Sequence, residues 1–307
     1  MGPADTKTLR IEYNNKWPAR FPFPLESQFA ALLAEKNVVV PFKPAPLAPS
    51  DDAGFHRILA SILDALDALP LRPDRAFEAL WTAIDAEAFR VFDTGKKNTS
   101  RFVQLLAQIE SQPDGAAAWS ALAKFVELAP LHSCEYVARR IFDALNDPDK
   151  HSPNFLAKIK PSVGIDFFNA FAEKYNKLWV DEKASRPATQ RKAGALFQLV
   201  LKGREVELGN NRYKLNETQR ISLIASAVLP NVRNEKFHGD SFPSYRSSAA
   251  KLKTYAGGYF FMEVAYYLIL NVFVYRDFKS IDLRAIKGNI EDNCILYQNV
   301  FGKFARD

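Results

Sequence analysis

The stretch YFFMEVAYYLILNVFVY, Tyr259 to Tyr275, decides how this chain is read, because only Glu263 and Asn271 in it are strongly polar. A helix that is apolar nearly all round either lies in a protein core or crosses a bilayer. The run falls short of the roughly 20 residues a membrane helix needs. It also carries an acid, which is costly in hydrocarbon. A buried core helix is therefore expected, and no membrane partner. The helical pattern extends back to Ser244 and includes Gly257-Gly258. Each glycine costs a helix about 1 kcal/mol relative to alanine, so close packing by a neighbour is expected there.

Helical spacing dominates the chain on both sides of this run. Apolar residues recur at i, i+3 and i+4 through Phe55, Ile58, Leu59, Ile62, Leu63 and Leu66. The same holds over Ala76–Phe92, Arg101–Glu110, Ala116–Leu128, Ser133–Leu145, Ile165–Val180 and Ala193–Leu201, and one or two helices are expected over Ser280–Asp307. Residues 1–50 form a proline-rich segment with one helix, Leu25–Lys36, a short strand expected at Leu9–Tyr13, and an extended connector after Val40. Residues 51–150 read as a helical domain. Turn-forming Asp147-Pro148-Asp149 and Ser152-Pro153 mark 146–161 as the boundary, and 161–307 as a second helical domain. Within the latter, Gly209-Asn210-Asn211 suggests a small β-hairpin at 204–215. Asn216 with Gln219 has the form of a capping box, and Pro230 should kink or restart the helix that follows. The fold class is all-α.

Composition narrows the function classes. The 307 residues are 48% hydrophobic and 25% charged, as in ordinary globular proteins. Cys134 and Cys294 are too few and too far apart for a disulfide framework or a zinc site. This favours a cytoplasmic location, and Met1–Lys16 lacks the apolar region of a signal peptide. The net charge of +6 is uneven: 22 Lys+Arg against 15 Asp+Glu from residue 161 onward gives +7, whereas 19 against 20 before it gives −1. A basic half suits an anionic ligand such as RNA, although a solvated basic surface has the same composition.

The basic half also holds Arg233-Asn234-Glu235-Lys236-Phe237-His238-Gly239. A guanidinium can hold a phosphate with planar donors, and an imidazole can move a proton near neutral pH. His56, His132 and His151 have no arginine at comparable spacing. The same two residues could instead cap helix ends or pair with Glu235 and Asp240. Glu263, Glu291 and Asp292 have no partner at a catalytic spacing; Glu263 reads as a polar helix contact and the others as solvated.

This motif resembles that of the HEPN superfamily, whose signature is an arginine, a polar residue, a few variable positions and a histidine. Arg233, Asn234 and His238 match those positions, and Gly239 fits the common form that ends in His-Gly. The resemblance covers at most about half the chain, from near Ile165 to the C-terminus. It implies a HEPN-like helical bundle and a metal-independent endoribonuclease, often a toxin or an antiviral defence effector, with no cofactor. His238 would be the general acid or base, Arg233 the charge stabiliser, and Asn234 the residue that orients Arg233. Lys236, Tyr245 and Arg246 would be substrate-binding candidates. RNA would be the partner, with an antitoxin or defence-complex protein as a second. Five residues along a helix turn the chain about 140° net, so Arg233 and His238 do not share a stripe. The resemblance implies a homodimer with a shared cleft. The alternative is a non-catalytic HEPN module that dimerises or binds nucleotide within a larger regulatory complex.

Overall fold

The computed structural model describes residues 6–92, 101–111, 115–237 and 244–304. The described residues are overwhelmingly helical, with one two-stranded hairpin, so the all-α class is borne out. The helices before the motif are α1 Thr6–Asn15, α2 Pro24–Glu35, α3 Ala53–Asp67, α4 Pro73–Val91, α5 Arg101–Glu110, α6 Gly115–Val126, α7 Leu131–Asn146, α8 Ser152–Val163, α9 Ile165–Phe171, α10 Lys177–Asp181 and α11 Arg186–Leu201. Strands β1 Val206–Leu208 and β2 Asn211–Tyr213 follow, then α12 Glu217–Ser222, α13 Leu229–Phe237, α14 Leu252–Tyr275 and α15 Leu283–Phe301.

Helix α14 contains the opening stretch and forms the centre of the molecule. It packs against α2, α3, α4, α5, α6, α7 and α15. The most apolar part of it is 83% buried, so a helix long and apolar enough to cross a membrane is here a core helix. Its tyrosines each bring a hydroxyl into the core, and a buried hydroxyl needs a partner. Tyr255 donates to the Leu71 carbonyl at 3.1 Å and Tyr259 to that of Pro70 at 2.8 Å. Tyr266 accepts from the Ala45 N–H at 2.7 Å, and Tyr267 donates to Glu263 Oε2 at 3.2 Å. Glu263 is wholly buried, and desolvation pushes its carboxyl well above the ordinary value of 4.5. A protonated carboxyl is the form that a core of this kind holds most cheaply.

The glycine pair is tightly packed, as expected, and the neighbour belongs to the same chain. A Cβ on Gly258 would collide with the Tyr245 hydroxyl and lie 3.1 Å from Pro73, and one on Gly257 would meet Ser133 Oγ at 3.2 Å. Thus the apolar run and the glycines, two features that could have called for a second chain, are accounted for inside one.

A single hydrophobic core runs from Leu25 to Phe301 and draws on helices from both sides of residues 146–161. Helix α4 packs on α14, α6 on α15 and α7 on α11. The two prolines at 153 and 161, within the expected boundary, both lie in helix α8. Pro153 opens α8, where a proline's missing N–H does no harm, and Pro161 lies in its last turn. Gly164, at φ +85, turns the chain into α9.

The proline-rich connector after Val40 is extended, and it is fastened along its length. Lys43 N–H donates to Asn293 Oδ1 at 2.8 Å, while Asn289 and Asn293 donate to the Lys43 carbonyl at 3.0 and 2.9 Å. Ala48 N–H donates to the Ser280 carbonyl at 2.7 Å. The hairpin pairs Val206 with Tyr213 and Leu208 with Asn211, with Gly209 at φ +61 in the turn. Leu9–Tyr13 is a correction: it lies within helix α1, not in a strand.

Candidate functional site

The chain reaches the motif through three helical segments end to end. Asn216 opens α12 with a reciprocal capping box: its side chain accepts from Gln219 N–H at 2.8 Å, and Gln219 Oε1 accepts from Asn216 N–H at 3.0 Å. Leu223–Val228 is then wound as a π-helix, and α13 resumes α-helical winding at Leu229. Pro230 lies just beyond that change, so its missing N–H falls where the hydrogen-bond register is already shifting. The expected interruption at Pro230 takes this form, and the helix continues through it to Phe237.

Arg233 and Asn234 stand on α13 and face two adjoining clefts. Arg233 lines a cleft of about 520 Å³ together with Trp81, Asp85 and Phe89 of α4 and Arg101 at the start of α5. Asn234 lines a second, of about 670 Å³, between α13 and α8. The two residues are joined: Arg233 Nη1 donates to Asn234 Oδ1 at 3.1 Å. On its other side Arg233 Nη2 lies 3.4 Å from Asp85 Oδ2, in a half-exposed ion pair. Asn234 is thus in direct hydrogen-bond contact with Arg233. His238 and the Lys236 side chain lie outside the described residues.

Phe89 and Arg101 were not among the sequence candidates. Phe89 is 66% exposed, unusual for a phenylalanine on a helix whose other face is core. The Arg101 guanidinium sits over its ring at 4.2 Å from the centroid. An exposed aromatic ring, one face of it under the Arg101 guanidinium, shares a cleft with two arginines; the arrangement is suited to a nucleotide strand, the ring meeting a base and the cations meeting phosphates. The sequence signal was weak, since Phe89 falls at an outward position of an otherwise regular amphipathic helix.

Tyr245 and Arg246, expected to bind substrate, lie in packing contacts away from α13. Tyr245 is only 4% exposed; its hydroxyl donates to the Thr254 carbonyl at 3.2 Å and its ring packs on Tyr255. Burial holds its phenol well above the ordinary value. Arg246 lies over Tyr13 and Phe23 at 4.6 and 4.8 Å and reaches Glu26 Oε1 at 3.5 Å. It joins the N-terminal helices to the body of the protein, and neither residue lines the clefts beside α13.

Among the described residues no three His, Cys, Asp or Glu side chains converge as a metal site would require. Cys134 is buried and Cys294 half-buried, both as thiols. Comparison of the chain with protein-family models, with curated proteins and with solved structures finds no match.

Proposed function

We propose that the chain is a metal-independent endoribonuclease of HEPN type, acting as a toxin or defence effector, with its substrate strand in the Arg233 cleft. The observation that carries this reading is the grouping of Arg233, Arg101 and the exposed Phe89 around one cleft of about 520 Å³. Two guanidiniums supply the charge that a phosphodiester backbone needs. An aromatic ring supplies a stacking surface that tolerates any base.

The chemistry would be transesterification within RNA. The ribose 2′-OH attacks the adjacent phosphorus, and the P–O5′ bond breaks. His238 takes the 2′ proton or gives one to the departing 5′ oxygen. Arg233, held by Asn234, meets the charge building on the non-bridging oxygens. Products are a 2′,3′-cyclic phosphate and a 5′-OH, and DNA, lacking the 2′-OH, does not react. A second copy of the chain, placing its own Arg233 and His238 across the same strand, would supply the acid and the base together.

The second reading, a non-catalytic HEPN module that binds nucleotide or a protein partner, draws on the Arg233–Asp85 pair. An arginine committed to a carboxylate serves a structural role as well as a catalytic one. The deciding experiment is an RNA cleavage assay in EDTA. Wild type should cleave, and Arg233→Ala and His238→Ala should each lose at least about 10²-fold while remaining folded, the scale of removing a charge stabiliser or acid–base group. Full activity in a folded His238→Ala protein excludes the nuclease reading.

A further inference from the structure

The second cleft beside α13 has a composition that the nuclease reading does not use. One wall is α8, where Asn154, Lys158 and Ser162 succeed one another at four-residue intervals and so share a face. The other wall is α12–α13, where Ser222, Ser226 and Asn234 line the same space. At one point the walls touch: Ser162 Oγ and Ser222 Oγ are 3.1 Å apart. Elsewhere about 670 Å³ lies between them, within the usual range of small-molecule sites.

Three features distinguish this space from an ordinary gap between helices. First, no Asp or Glu is among the described residues that line it, whereas Lys158 is. Among the described residues no carboxylate forms an ion pair with Lys158, and its half-buried ammonium is pushed below the ordinary lysine value by desolvation alone. A partly buried cation without a counter-charge leaves a deficit that an anion can fill. Second, the remaining polar groups are hydroxyls, side-chain amides and the His151 imidazole, which can donate to phosphate oxygens or meet the hydroxyls of a polyol. Third, the π-wound Leu223–Val228 segment forms part of the wall and carries Ser226. π-Wound turns are frequent at functional sites, and of the two among the described residues, Ala172–Asn176 and Leu223–Val228, only the latter lines this cleft.

We infer that the cleft between α8 and α12–α13 binds a small phosphomonoester of a polyhydroxylated molecule, with Lys158 holding the phosphate and the serine and asparagine side chains meeting the rest. This site adjoins the proposed nuclease and shares Asn234 with it, while Arg233 faces the neighbouring cleft.

Calorimetry on the full chain tests it, with ribose 5-phosphate, ribose and inorganic phosphate as probes. Wild type should bind ribose 5-phosphate saturably, inorganic phosphate should compete with it, and ribose should not bind. Lys158→Met should weaken ribose 5-phosphate at least about tenfold, the effect of losing one charge-assisted contact. Lys158→Arg should retain part of the affinity, and Asn154→Leu, at an exposed position that tolerates change, should weaken it without touching the charge. Absence of saturable binding by wild type overturns the inference, as does equal affinity in Lys158→Met. Loss of binding in Arg233→Ala with retention in Lys158→Met would place the phosphate in the other cleft and overturn it equally.

Discussion

Helices α14 and α13 both carry polar groups, and they use them in opposite ways. In α14 the hydroxyls of Tyr255 and Tyr259 are paired with backbone carbonyls, and Glu263 is packed out of water with Tyr267 on one oxygen. In α13 Asn231 is likewise satisfied inward by the Tyr136 hydroxyl, but Arg233 and Asn234 bond to each other and open onto two clefts. Polar groups satisfied inward specify how a core is assembled, whereas polar groups grouped around open space can meet a ligand. The difference explains why the most conspicuous sequence feature, the apolar run, governs the fold, while the candidate chemistry sits on a helix that is short and unremarkable in its pattern.

The largest expected effect breaks the first side of the comparison. Phe29 is fully buried and stacks on Tyr255 of α14 at 3.7 Å between centroids, with Phe301 on its other side. Phe29→Ala should destabilise the protein by about 3–5 kcal/mol in denaturant titration, the loss of a large buried ring and the cavity it leaves. A loss below about 1 kcal/mol would mean that α2 is not anchored on the central helix as described. Phe89→Ala should do the reverse. With its ring 66% exposed it should change stability by less than about 0.5 kcal/mol. It should weaken single-stranded RNA binding by about 1–3 kcal/mol, the value of one base stacked on an aromatic side chain. Unchanged RNA affinity in that variant would remove the stacking surface from the proposed site.

The two sides of the comparison were unequally legible in the sequence. The long core helix, the capping box at Asn216 and the hairpin at Gly209 each follow from local chemistry: an all-round apolar surface, a reciprocal side-chain cap, and a glycine at positive φ. Helix α1 was misread because Leu9, Ile11 and Tyr13 alternate as a strand would. What it lacks is a strand to pair with; instead Arg10 reaches the Arg246 carbonyl and Tyr13 packs on Phe21 and Phe23. Tyr245 and Arg246 were proposed from nearness in sequence to the motif, which says nothing of direction once the chain has turned into α14. Phe89, Arg101 and Asp85 come to Arg233 from a region some hundred and more residues earlier, and only the tertiary packing of α4 and α5 brings them there. The Asn154, Lys158, Ser162 stripe is visible at four-residue spacing, but the turn chemistry of Asp147-Pro148-Asp149 and Ser152-Pro153 makes that segment read as a domain boundary.

A subtler test concerns the buried acid of α14. Burial raises the Glu263 carboxyl above its ordinary 4.5, so the folded protein keeps that proton at pH values where the unfolded chain releases it. The contribution to stability is therefore complete below about pH 4.5 and falls as the pH rises towards the folded value, by at most about 1.4 kcal/mol per unit. Glu263→Gln preserves shape and removes the titration. The stability of the variant relative to wild type should then increase from pH 5 to pH 8 in urea melts. A difference independent of pH would show that Glu263 is ionised in the fold or solvated.

The smallest effect sharpens the second side. Among the described residues Asp85 is the one acid lining a cleft with two arginines, and it lies 3.4 Å from Arg233 in an ion pair between half-exposed groups. Such pairs contribute about 0–1 kcal/mol to stability, because water screens them and both side chains lose freedom. Asp85→Asn should thus leave the unfolding free energy almost unchanged. Its effect on RNA should be favourable: the phosphate no longer competes with a carboxylate for the guanidinium, and one negative charge leaves the cleft. Affinity for an uncleavable RNA carrying 2′-deoxy substitutions should increase about two- to fivefold at low salt, within the energy of that pair. The gain should shrink as salt is raised, since screening weakens both the pair and its absence. Weaker binding in Asp85→Asn, with the fold intact, would mean that Asp85 positions Arg233 for the strand and does not compete with it, and the pair would then belong to the site.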